Sequence, residues 1–72
     1  MKYYLNKHAQ QNGDHEIHKE ICPFYQLHKN GGNFIYLGIF KNEHDALSNA
    51  KRNYPHLHAD GCFCCCKSIH KQ

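Results

Sequence analysis

The chain has 72 residues, 40% of them hydrophobic and 21% charged, with a formal net charge of +3. A chain this short buries only about three-fifths of its unfolded surface, and its apolar core supplies ~3–5 kcal/mol, so a firmly folded domain needs a further cross-link. No segment approaches the roughly 20 apolar residues of a membrane span, and the basic residues are scattered rather than gathered, which reads as a solvated surface more than a phosphate-binding footprint.

In chain order, Lys2-Tyr3-Tyr4-Leu5-Asn6 is short and aromatic and predicts a first strand. The polar stretch Gln10 to Asp14 carries the turn dipeptide Asn12-Gly13 and reads as a loop. From His15 to Ile21, Ile17 and Ile21 alternate with Glu16, His18 and Glu20, the pattern of a half-buried strand that Pro23 ends. Phe34 to Phe40 is apolar on both faces and rich in β-formers, which predicts the central strand. Asn42 is placed to cap a helix whose first turn holds Glu43 and Asp45 and whose last holds Lys51 and Arg52. Ala46, Leu47, Ala50 and Tyr54 form its apolar stripe, and Pro55 stops it. The expected fold is a single α+β domain over 1–72: a three-stranded antiparallel sheet, one helix packed on it, a Cys-rich C-terminal turn stabilised by zinc, and a flexible tail over 67–72.

The expectation of zinc comes from the cysteines. Four of the five lie in Cys62-Phe63-Cys64-Cys65-Cys66, and the fifth is Cys22. Met1 to Lys7 is too short and polar for an export signal, which predicts a cytoplasmic protein in a compartment where disulfides are rare. The odd number of cysteines agrees, and adjacent cysteines do not readily reach disulfide geometry. Cys62-x-x-Cys65 has the spacing of a zinc knuckle, and His18-x-x-x-Cys22 offers a second pair of ligands. Residues four apart in an extended strand are roughly 13 Å apart, so the chain must bend before Cys22.

The succession Ile17-His18-Lys19-Glu20-Ile21-Cys22-Pro23, Phe34 to Phe40, a helix with Glu43, Ala46 and Ala50, and Gly61-Cys62-Phe63-Cys64-Cys65 resembles the family of the zinc-binding domain of the Ada DNA-repair protein and its small relatives. The resemblance covers residues 15 to 66 and implies one zinc held by His18, Cys22, Cys62 and Cys65. In that family the first ligand is a cysteine that accepts a methyl group from a DNA phosphotriester. His18 stands at that position here, and imidazole lacks the thiolate that performs the transfer, so repair activity is not implied.

Each assignment has a structural alternative. His18 can be an exposed strand residue, with His15, His56, His58 or His70 as substitute ligand, and Cys22 a small buried hydrophobe. Cys64 and Cys66 are spare in a site that takes four ligands. Tyr3, Tyr4, Tyr25, Tyr36, Phe34 and Phe40 can stack on single-stranded nucleic acid, although a protein this small needs its aromatics for the core. The leading function is a non-enzymatic, monomeric zinc module with a nucleic-acid (DNA) or protein partner and no membrane contact. A thiol redox protein or enzyme using Cys62-x-x-Cys65, and a metal buffer or sensor, are the alternatives.

Overall fold

The computed structural model describes residues 1–71. Its elements are β1 (Lys2–Asn6), β2 (His15–Lys19), α1 (Pro23–His28), β3 (Phe34–Ile39), α2 (Glu43–Asn53) and β4 (Ala59–Gly61). The fold is α+β as expected, but the sheet has four strands in the order β3-β1-β2-β4 and is mixed. β1 pairs antiparallel with β2 and β3, whereas β4 runs parallel to β2 in the register His15↔Ala59, Glu16↔Asp60, Ile17↔Gly61. β4 escapes sequence reading because Ala59-Asp60-Gly61 has little strand propensity. Its pairing is carried by backbone bonds, His15 N donating to His58 O at 3.2 Å and Cys62 N to Ile17 O at 3.0 Å.

The strand over Phe34–Ile39 is an edge strand, and β1 holds the centre. Periodicity reports which faces are covered, not where a strand sits in its sheet. β3 is covered in part on each face: Leu37 is buried in the core, while Tyr36 and Ile39 stay exposed. On one face β1 and β2 present Tyr3, Leu5 and Ile17, which form the core with Leu37, Ala46, Ala50, Cys66 and Ile69. On the other, Tyr4 pairs across with His18 and with Tyr36, and Tyr25 of α1 stacks on Tyr4 with ring centroids 4.1 Å apart. The aromatics therefore divide, with Tyr3 and Phe40 in contact on the core side and Tyr4, Tyr25, Phe34 and Tyr36 clustered on the other.

α2 matches its sequence signals. The Asn42 side chain accepts a hydrogen bond from Asp45 N at 3.0 Å, and Ala46 and Ala50 are fully buried against the sheet, their small side chains permitting close approach. Ser68 donates to Glu43 at 2.7 Å and Lys19 pairs with the same carboxylate at 3.6 Å, tying the start of α2 to the C-terminal segment and to β2.

The second helix, α1, was not expected. Pro23 ends strand pairing, but it also occupies the first helical turn, where its missing N–H costs nothing. β2 accordingly stops at Lys19 rather than Ile21, and Ile21 is exposed. The anticipated tail also differs: Lys67–Ile69 form a 3₁₀ turn and Ile69 is buried in the core, while Gln72 lies outside the described residues. Among the described residues no helix is long and apolar enough to cross a membrane.

Gly61 is where the C-terminal turn closes over β4. A Cβ at this position would fall 2.5 Å from the Cys66 carbonyl oxygen and into the Ile69 side chain. Gly61→Ala is expected to destabilise the fold by about 1–3 kcal/mol through overpacking, read as a lowered urea midpoint.

Candidate metal centre

His18 and Cys22 sit on either side of a sharp turn. The strand ends at Lys19, Cys22 N donates back to Lys19 O at 3.0 Å, and Cys22 becomes the residue before the first turn of α1. That turn supplies the bend which an extended segment lacks. It brings the Cys22 sulfur to 3.6 Å from His18 Nδ1. The other pair arrives along β4: because Gly61 lies beside Ile17, Cys62 follows level with His18. The chain then folds back, with Cys66 N donating to Cys62 O at 2.8 Å and Lys19 N donating to the Cys65 sulfur at 3.4 Å.

One donor atom from each of His18, Cys22, Cys62 and Cys65 lies within 4.8 Å of the others. These are the four residues singled out from their spacing. His18 is not the exposed strand residue of the alternative reading, since it is wholly buried. Its ring stacks on Phe24 at 5.1 Å and meets Phe34 edge-on at 5.7 Å, so α1 forms the lid that covers it. The substitute histidines are elsewhere. His15 Nδ1 donates to Asn6 O and His70 Nδ1 to Gly61 O, at 2.9 and 2.8 Å, and His56 and His58 are exposed.

Burial sets the protonation of the group. It lowers the His18 pKa to about 4, so the ring is neutral at ordinary pH with a lone pair free. Burial raises the Cys22 thiol, an effect partly opposed by the backbone amides of Tyr25 and Phe24. It pushes Cys62 up to about 12, opposed by the amides of Cys65 and Cys64. The Cys65 thiol is raised by its contact with Cys66, whose sulfur is 3.7 Å away, and then by burial, with the Lys19 amide opposing. The protein alone thus holds a neutral cluster of three thiols and one imidazole. A divalent cation at its centre would displace the thiol protons and turn each sulfur into a ligand.

His18 Nε2 is buried without a hydrogen-bond partner, and Glu16 Oε1 lies 3.6 Å from it. Glu16 is two residues before His18 and so on the same strand face. That period was the available signal for a carboxylate behind the histidine, and sequence reasoning did not use it. It also missed the wall formed by Phe24, because α1 itself was missed. Of the spare cysteines, Cys66 is buried in the core and Cys64 is exposed. The chain matches no family model, no curated protein and no solved structure.

The cysteines should therefore separate by reactivity. In the folded protein, iodoacetamide is expected to modify Cys64 roughly tenfold or more faster than Cys22, Cys62 and Cys66, which are buried; time-resolved peptide mapping reads the order directly.

Proposed function

We propose that this chain is a small non-enzymatic module in which His18, Cys22, Cys62 and Cys65 hold one zinc ion that completes the fold. The observation that carries this reading is the convergence of four donors from two distant segments inside 4.8 Å. Three thiols and an imidazole form a donor set suited to zinc. The 3.6 Å between His18 Nδ1 and the Cys22 sulfur equals the edge of about 3.6 Å between N and S ligands on a tetrahedral zinc. Glu16 stands where a carboxylate would orient the ligating imidazole through Nε2.

Four protein donors leave no open position for a metal-bound water, so the metal's role is structural. The order of ligands along the chain is the order in the Ada-type zinc domain, with His18 in place of the methyl-accepting cysteine. Zinc binding supplies roughly 10–16 kcal/mol to the folding of such sites, against the ~3–5 kcal/mol of a core this size. The working part of the module is then its surface. Exposed Ile21, Phe24, Leu27 and Phe63 belong to the segments that carry Cys22 and Cys62, and they favour a protein partner. A contact made instead by Lys51 and Lys67 to nucleic acid would weaken steeply as salt is raised.

Native mass spectrometry of the protein is expected to show one zinc per chain, and chelation to collapse the dispersed amide spectrum. Cys22→Ser, Cys62→Ser and Cys65→Ser should each abolish stable loading, Cys64→Ser and Cys66→Ser should retain it, and His18→Cys should bind zinc and fold. A chelated protein that keeps its native spectrum would sink the structural role.

The pH dependence follows from the thiols. Their pKa values lie above neutrality in the metal-free cluster, so binding releases protons and affinity falls as pH falls. Because the metal-free chain unfolds, the His18 ring regains the ordinary imidazole value of about 6.5 and adds a further proton release below it. Competition titrations between pH 7 and pH 8 are expected to give a slope approaching one power of ten per pH unit for each of the three thiols.

A further inference from the structure

The four donors are unequally sheltered. His18 is wholly buried, and Cys22 and Cys62 are 1% and 5% exposed, but Cys65 is half-buried. A metal-bound sulfur is deprotonated outright, and the one with most solvent access is the one an electrophile reaches first.

A second sulfur is at hand for the product. The Cys66 sulfur is 3.7 Å away, but Cys66 is the next residue in the chain, and adjacent cysteines do not readily reach disulfide geometry. Cys62 and Cys22 both lie within 4.8 Å of Cys65, but Cys22 is the one that comes from a separate segment and shares a side-chain contact with it. Cys64 is exposed but contributes no donor to the cluster.

Resting on the zinc reading, we infer that Cys65 is the residue that peroxides oxidise, and that Cys22 resolves the product as a disulfide with release of the metal. In the first step the Cys65 thiolate attacks one oxygen of hydrogen peroxide. The S–O bond forms, the O–O bond breaks, and the second oxygen leaves as hydroxide, which the buffer acid neutralises; sulfur loses the two electrons that peroxide gains. In the second step the Cys22 thiolate attacks the Cys65 sulfur, the S–S bond forms, the S–O bond breaks, and hydroxide leaves. Two of the four ligands are consumed, and zinc departs from His18 and Cys62. The disulfide joins the same two segments that the metal joined, so it replaces one long-range cross-link with another.

The experiment uses zinc-loaded full-length Cys64→Ser protein, in which the exposed thiol that is not a ligand cannot compete. Hydrogen peroxide is added in steps while a chromogenic chelator reports free zinc and peptide mapping locates each modification. The expected result is one zinc released per Cys22–Cys65 disulfide, with early modification of Cys65 at least about tenfold above Cys62, and restoration of loading by a dithiol reductant and zinc. The same product should form in a Cys64→Ser, Cys66→Ser double variant. A first product linking Cys65 to Cys62 or Cys66, or Cys22 to Cys62, oxidation without zinc release, or resistance to peroxide while zinc stays bound would each overturn the inference and leave the zinc reading intact. Failure of the protein to take up zinc before peroxide is added would overturn both.

Discussion

The parallel pairing of β4 with β2 is the constraint on which the rest of the site depends. It is only three residues long, yet it decides where a distant segment of the chain ends up. With Gly61 beside Ile17, Cys62 must emerge beside His18, and the return of the chain then delivers Cys65 to the Lys19 amide. A shift of one residue would turn the side chains of β4 to the other face of the sheet. Gly61 enforces this placement from the other side, because Cys66 and Ile69 pack where its side chain would be.

The two faces of the sheet divide the work. On the α2 face, Ala46 and Ala50 allow close approach to Tyr3, Leu5 and Ile17, and Ile69 closes the end of that core. On the α1 face the covering is aromatic and shallower, with Phe24 and Tyr36 each still about half open to solvent. This second face contains His18, whose buried Nε2 lacks a hydrogen bond. Burying polar atoms in so small a protein is unfavourable unless they are paired. A cation among the sulfurs and His18 Nδ1, with Glu16 drawn towards Nε2, would remove that penalty.

The surplus of thiols has a division of its own. Cys66 belongs to the core as much as to the site, fully buried with its sulfur against that of Cys65. Cys64 faces solvent with Phe63, between Cys62 and Cys65, whose sulfurs face the cluster. Exposure therefore follows position in the turn, and it leaves Cys65 as the edge of the cluster.

Much of this was legible in the residues themselves. The strand over β1, the helix cap at Asn42, the Ala46 and Ala50 stripe and the four candidate donors are local patterns, set by side-chain periodicity, capping and loop spacing that a linear chain displays. The edge position of β3, the existence of β4, the short helix opened by Pro23 and the burial of His18 were decided only in three dimensions. Each depends on a partner far away in the chain: β4 is a strand because β2 offers it hydrogen bonds, and His18 is buried because α1 folds over a face that the alternation of β2 marked as polar. Spacing nominated the ligands, but only the β2–β4 register and the turn before Cys22 brought their atoms within reach of one ion.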